Sequence, residues 1–234
     1  MAKLPVLMYH DVASSTSEGL VISVRRLEEQ LKWLSENQYT SWHFSELEDL
    51  STLPGSKNVV ITFDDAYVSF KDLAVPLLQK YELKATLFVP LGYLGKTDEW
   101  NTGKVDIMTA EQLHSLQPDT VELGYHSFQH SKYNELTLEE TSTDTQCGFE
   151  VVKNHKLPLS PALAYPYGKF PREKESYTKF VELLKQEGFS YGLRIGNRLN
   201  KFPFPDPFKI QRLDIKGEYS LGKFRRKIKY GKII

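Results

Sequence analysis

Eight short runs rich in apolar and β-branched residues recur along the chain, and helical patterns fill the gaps between them. The runs are Val6–His10, Tyr39–Phe44, Val59–Asp64, Ala85–Pro90, Val121–Tyr125, Ala162–Tyr165, Ser190–Ile195 and Lys209–Ile215. Several are apolar without strict alternation, the pattern of strands covered on both faces. Between them, Arg25–Asn37 sets Leu27, Leu31 and Leu34 on one helical face, and Ser69–Tyr81 does the same with Leu73, Leu77 and Leu78. Thr109 with Gln112 and Thr137 with Glu140 have the spacing of capping boxes that open helices. Lys174–Glu187 reads as the last long helix, stopped by Gly188. Strand–helix alternation implies a parallel sheet with helical crossovers. Seven or eight such strands predict a closed or nearly closed α/β barrel, one domain over residues 1–234, with chemistry at the C-terminal ends of the strands.

A chain of 234 residues is long enough for such a barrel and its core. Lys+Arg and Asp+Glu are both 30, so no net field recruits nucleic acid, and a neutral partner such as a sugar suits the balance. Cys147 is the one cysteine, which excludes an intrachain disulfide and a thiolate zinc site. The opening apolar stretch is too short for a signal sequence, and nothing offers the ~20 apolar residues of a membrane span. The expectation is a cytoplasmic protein. Residues 223–234 carry Lys223, Arg225, Arg226, Lys227, Lys229 and Lys232, read as a solvated basic helix or tail, with contact to an anionic membrane surface as the second reading.

Three strand ends hold the polar residues. Val59-Val60-Ile61-Thr62-Phe63 ends in Asp64-Asp65. Neighbours on a strand point opposite ways, so one carboxylate can hold a metal while the other takes a proton; a helix cap is the competing reading. After Gly124-Tyr125 come His126 and His130, an i, i+4 pair on one face of a helical turn, the spacing of helical zinc sites. Two imidazoles and one carboxylate leave open positions for water and substrate. Tyr165-Pro166-Tyr167-Gly168 is a rigid turn that can present a backbone N–H to an oxyanion, or is a plain aromatic loop.

In combination and order, Phe63-Asp64-Asp65, His126-Ser127-x-x-His130 and Tyr165-Pro166-Tyr167-Gly168 resemble the first three motifs of the polysaccharide deacetylases, the NodB-homology family. Val6-Leu7-Met8-Tyr9-His10-Asp11 and Lys84-Ala85-Thr86-Leu87-Phe88-Val89 add to the resemblance, which spans nearly the whole chain. It implies a distorted (β/α) barrel of about seven or eight parallel strands, and metal-dependent removal of the N-acetyl group from an amino sugar in a polymer, oligosaccharide or glycoconjugate. The metal it implies is divalent, zinc first, with cobalt or nickel as alternatives. By position, Asp65, His126 and His130 would bind the metal, Asp64 would be the general base, and the Tyr167 amide would face the oxyanion. Other amide or ester hydrolysis, or an inactive carbohydrate-binding role, are the competing functions.

The chain departs from the family pattern in three places. The arginine common before the third motif is replaced by Pro161-Ala162-Leu163-Ala164, and Arg212 on a late strand is the candidate substitute. Ala66 stands where glycine is common. No histidine follows His155, so the general acid of the usual last motif is absent there. Val6–His10 resembles that motif moved to the N-terminus, as in a circularly permuted branch of the family, which assigns His10 as general acid. His43, His114 and His155 are read as structural or surface residues. Tyr67, Tyr125, Tyr165 and Arg212 are the candidate substrate contacts, with Trp100 among the nearby aromatics.

Overall fold

The computed structural model describes residues 2–232. The strands in chain order are β1 (Ala2–Leu4), β2 (Val6–Tyr9), β3 (Asp11–Ala13), β4 (Val21–Ser23), β5 (Thr40–Ser41) and β6 (Asn58–Phe63). They continue as β7 (Ala85–Val89), β8 (Val121–Tyr125), β9 (Leu159–Ala164), β10 (Tyr191–Ile195), β11 (Asn200–Phe202) and β12 (Ile210–Asp214). The α-helices are α1 (Val24–Glu36), α2 (Phe44–Leu47), α3 (Val75–Lys80), α4 (Ala110–His114), α5 (Leu138–His155), α6 (Lys174–Gln186) and α7 (Leu221–Tyr230).

Seven parallel strands close a ring in the order β2, β6, β7, β8, β9, β10, β12, and β12 pairs back to β2. β5 is the eighth, parallel to the start of β6. The predicted barrel is therefore present, and the N-terminal strand β2 is one of its staves, between the last strand and β6. Alternate residues explain the packing. Val6, Val60, Phe88, Ala162, Ala164, Leu193 and Ile210 form one buried cluster with Phe44, inside the ring. Leu7, Ile61, Phe63, Leu87, Leu123 and Leu163 belong to the larger cluster under the helices, with Leu27, Leu31 and Leu34 of α1. Gly124 in β8 makes room inside: a Cβ there would lie 2.5 Å from the Phe88 ring.

Two elements differ from the expected pattern. The run Tyr39–Phe44 is a strand only at Thr40–Ser41, and Phe44 opens α2. The buried Glu122 carboxylate accepts from Phe44 N (2.7 Å) and Ser45 N (3.0 Å), a charge at a helix start that sequence order does not reveal. The expected helix Ser69–Tyr81 begins as a π-helical turn, Phe70–Ala74, before α3, whose first turn holds Pro76. The basic C-terminal stretch is helical through Tyr230, and the apolar face of α7 is buried, with Phe224 against Trp33. Residues 233–234 lie outside the described residues. Among the described residues, no helix is long and apolar enough to cross a membrane.

Candidate active site

The inward parity of the ring strands delivers four polar side chains to one mouth. Asp64 follows Val60 and Thr62, His126 follows Glu122 and Gly124, and Arg212 follows Ile210, while β2 ends at His10. Asp65 would point outward by the same parity. Its backbone turns left-handed (φ 75°), as does that of Ala66 (φ 51°), and this brings its carboxylate into the same cleft. The cleft encloses about 330 Å³ and is lined by His10, Asp64, Asp65, His126, His130 and Arg212, with Tyr67, Trp100, Tyr167, Asp214 and Lys216 among its walls.

Asp65 Oδ1 lies 3.2 Å from His130 Nε2 and 3.5 Å from His126 Nε2. His126 donates its Nδ1–H to Ala164 O at 2.7 Å, so in the neutral ring Nε2 turns a lone pair toward the carboxylate. Two lone-pair groups at this separation need a cation between them. Tetrahedral metal–ligand bonds of about 2.0–2.2 Å put donor atoms roughly 3.4 Å apart, close to the spacing found. The three donors are buried, and Asp65 Oδ1 has no hydrogen-bond partner among the described residues. The residues therefore fit a divalent metal. Burial would raise the Asp65 carboxyl, but the two imidazoles outweigh it and hold it well below the carboxylate range. Burial pushes the His130 imidazole down, toward the neutral form a metal requires. For His126 burial acts the same way, but the Asp64 and Asp65 charges prevail and raise it, so a proton competes with any metal there.

Asp64 is gripped separately. Arg212 Nη1 donates to Oδ1 at 2.5 Å and Nη2 to Oδ2 at 2.8 Å, a two-pronged pair. Burial would raise Asp64, and the Arg212 charge, followed by the nearby histidines, brings it below its ordinary value. His10 Nε2 stands 3.7 Å from Asp64 Oδ2, and His126 Nε2 stands 3.9 Å from the same oxygen. Arg212 is thus in the cleft wall, but its side chain is almost wholly buried and committed to Asp64, so it is not the substrate contact expected of it; it stands instead where a substitute for the missing arginine would.

The turn after β9 places Tyr167 at the rim, 44% exposed, with its ring edge-on to His130 at 4.8 Å. Tyr167 is left-handed (φ 57°), and so is Gly168, where a Cβ would meet Ile195 N at 2.9 Å. Gly168 N–H donates to Tyr165 O and Lys169 N–H to Pro166 O, which leaves the Tyr167 N–H out of the turn's own bonds. Tyr67 lines the cleft, its phenol pushed up by burial and by Asp65. Tyr125 and Tyr165 do not reach it. Both are fully buried on the outward parity of their strands, bonded to Asp144 and to Phe208 O, so neither is a substrate contact.

His126–His130 is not a helical turn, as the spacing had predicted, but a loop with Ser127 (φ 65°) and His130 (φ 54°) left-handed. It is held by Asp144 of α5. The other residue outside the motifs is Asp98, whose fully buried carboxylate accepts from Lys104 N (2.8 Å), Val105 N (2.9 Å) and Thr102 N (3.2 Å). It shapes the loop whose Trp100 stacks on the His130 ring at 4.2 Å. No motif marks either aspartate; the small, buried stripe Thr141, Asp144, Thr145, Gly148 is the one sequence signal for Asp144. His43 bonds Thr120 O and His114 bonds His155 O, in keeping with structural and surface roles.

The family model described as polysaccharide deacetylase matches residues 53–189. The Bacillus subtilis (strain 168) protein YxkH is 30% identical over 175 residues, 74% of this chain and 59% of that protein. A Staphylococcus epidermidis poly-beta-1,6-N-acetyl-D-glucosamine N-deacetylase is 23% identical over 205 residues, 82% of this chain and 67% of the relative. The chain therefore spans only 59% to 67% of the length of these relatives. Among solved structures, IcaB from Ammonifex degensii is 25% identical, with 97% of each chain covered and a TM-score of 0.78. The Streptococcus pyogenes deacetylase PplD in complex with acetate superposes at a TM-score of 0.80 over 97% of this chain and 98% of its own. At 19% identity that likeness speaks for the fold alone.

Proposed function

The chain belongs to the polysaccharide deacetylase family, and from that premise we propose that it is a metal-dependent hydrolase releasing acetate from an N-acetylated amino sugar. The observation that supports this reading most directly is the convergence of Asp65, His126 and His130 beside an Arg212-held Asp64 and His10 in one cleft. A divalent metal on Asp65, His126 and His130, zinc first, would supply Lewis acidity to the water and the acetyl carbonyl. Asp64 takes the proton of the attacking water. The lowered Asp64 carboxyl stays ionised at neutral pH, ready to accept it. The new C–O bond leaves a tetrahedral oxyanion, and the Tyr167 N–H donates to it. His10 protonates the departing nitrogen as the C–N bond breaks, because an amide does not expel an unprotonated amine. Acetate and a free amino sugar result.

The named relatives make poly-β-1,6-N-acetylglucosamine oligomers the first substrate to test. Acetate release that stops on chelation and returns with zinc or cobalt is the expected result. Asp64→Asn should lose turnover while metal stays bound, because Asp64 is not a ligand. Release that persists in chelator, or in Asp64→Asn, would overturn the mechanism. Aryl acetates run alongside separate this reading from a general esterase.

The contact with an anionic membrane surface is proposed for α7. Lys223, Arg225, Arg226 and Lys229 line a groove with Trp33, Tyr39 and the exposed Tyr230. The apolar face of α7 is already buried, so the attraction would be electrostatic, about 1 kcal/mol per cation, and salt-sensitive. Vesicles containing phosphatidylglycerol should pellet the protein at low salt and not at high salt. A variant with the four cations changed to Gln should stay in the supernatant. Equal pelleting of both proteins, or none of either, would dismiss the contact.

A further inference from the structure

We propose that Asp144, which lies in α5 outside every motif of the site, is the positioning residue that fixes the His126–His130 loop in its ligand geometry. The proposal rests on the metal-centre reading given above. The Asp144 carboxylate is buried, 8% exposed, and four donors converge on it. Phe128 N donates to both oxygens (2.9 and 3.1 Å), Gln129 N at 3.0 Å, Ser127 Oγ at 3.1 Å and Tyr125 OH at 3.1 Å. All four donors are neutral, so the carboxylate is held by hydrogen bonds that point at the loop between the two histidines.

That loop needs an external hold. Ser127 and His130 both sit in the left-handed region, which non-glycine residues adopt at a cost, and the segment makes no helix of its own. Asp144 supplies the missing acceptors for consecutive N–H groups that a helix would have left free. Ser127 extends the clamp, because its Oγ accepts from Ser131 N at 3.0 Å and so ties the chain on both sides of His130. Gly148, one turn further along α5, completes the seat: a Cβ there would lie 2.5 Å from the Tyr125 ring.

The two histidines do not depend equally on this clamp. His126 is also anchored through Nδ1 to Ala164 O. His130 Nδ1 has no hydrogen-bond partner among the described residues, and its ring is set by the loop backbone, the Trp100 stack and the edge of Tyr167. Loosening the loop should therefore displace His130 first and spare His126.

Asp144→Asn keeps the shape but presents an NH2 group to donors, so one side of the clamp becomes repulsive. The full chain, stripped of metal, is titrated with Zn(II) and Co(II), and the Co(II) absorption spectrum reports coordination geometry. Asp144→Asn should raise the metal dissociation constant by ~10–100-fold, as loss of an outer hydrogen-bonding partner does at other metal sites, and alter the Co(II) spectrum. Ser127→Ala, which removes the Oγ bonds to Asp144 and from Ser131 N but keeps the Phe128 and Gln129 N–H bonds to Asp144, should shift both in the same direction by less, and it serves if Asp144→Asn fails to fold. Leu34→Ala, a core truncation in α1, should lower thermal stability and leave affinity and spectrum as in the parent. Parent-like affinity and spectrum in Asp144→Asn would overturn the proposal. If Leu34→Ala instead loses affinity as well, and all three variants lose it only in proportion to stability, the role is merely structural and the proposal falls. If the parent protein itself takes up no metal, the metal-centre reading falls first and this one with it.

Discussion

Arg212 gives both prongs of its guanidinium to Asp64 inside the barrel mouth, where both side chains are almost wholly buried. Removing one member of a buried pair leaves the other uncompensated, at about 3–5 kcal/mol. Arg212→Ala should therefore lower unfolding free energy by that order in urea at pH 7 and abolish turnover. Arg212→Lys restores charge but not the fork, so it should recover stability better than rate. The pH dependence has a definite sign. Asp64 is lowered in the folded state, so its contribution is present above the unfolded carboxyl value, about 3.9, and fades as pH falls through the folded value. The stability gap between parent and Arg212→Ala should shrink in acid; a constant gap down to pH 3 would mean that Asp64 is not the partner that matters. Asp64, His126 and His10 were legible because each stands at the end of an apolar run within a recognisable motif, and Arg212 from its place on a late strand; strand parity explains why all four face the cleft. The same parity, applied to Tyr125 and Tyr165, sends them outward into the core, and their proximity to motifs in sequence was no guide. Asp65 escaped parity through a positive φ, which depends on a local turn that no residue type announces.

At the scale of elements, capping boxes were the most readable signals: Thr109–Gln112 and Thr137–Glu140 form both reciprocal bonds at the starts of α4 and α5. What the sequence hid were side chains that act across elements, such as Glu122 on α2 and Asp144 on the histidine loop, since their partners lie 77–78 and 15–19 residues away. The end of α6 offers a test of such a cross-element group. Glu187 caps this helix at its negative end, with both carboxylate oxygens buried and without a hydrogen-bond partner among the described residues, and burial pushes its carboxyl up. A raised acid is neutral in the fold at low pH and becomes a penalty once pH passes the unfolded and then the folded value. Glu187→Gln should match the parent near pH 4 and be more stable at pH 7.5 by about 0.3–1 kcal/mol, the size of a charge at a helix terminus. Thermal melts at the two pH values decide it. A variant less stable at pH 7.5 would show that Ser142 and Thr145 hold the carboxylate better than its buried oxygens imply.

For the whole molecule, the number of strands, their parallel order and the mouth at their C-terminal ends followed from the alternation of apolar runs and helices, because a parallel sheet buries both faces and leaves continuous apolar strands. A closed or nearly closed ring followed from the number of strands; the place of the first strand in it came from the resemblance of Val6–His10 to a final-strand motif, and the pairing of β2 with both β12 and β6 gives that place a structural basis. That placement separates two roles for the first residues. His10 lies at the end of β2 and reaches the cleft, while Val6, Leu7, Met8 and Tyr9 are all 1% exposed or less. Burial of each such side chain contributes roughly 1.5–3 kcal/mol, so the strand's four together approach the 5–15 kcal/mol that holds a domain folded. His10→Ala should therefore lose ~10²–10⁴-fold in turnover with a melting temperature near that of the parent. Deletion of residues 1–9 should abolish the cooperative melt, because it leaves β6 and β12 as open edges and uncovers Phe63, which stacks on Tyr9 at 5.1 Å. A deleted chain that still melts cooperatively would mean that β6 and β12 close the ring without β2, and His10 would then be an appendage to a barrel complete without it.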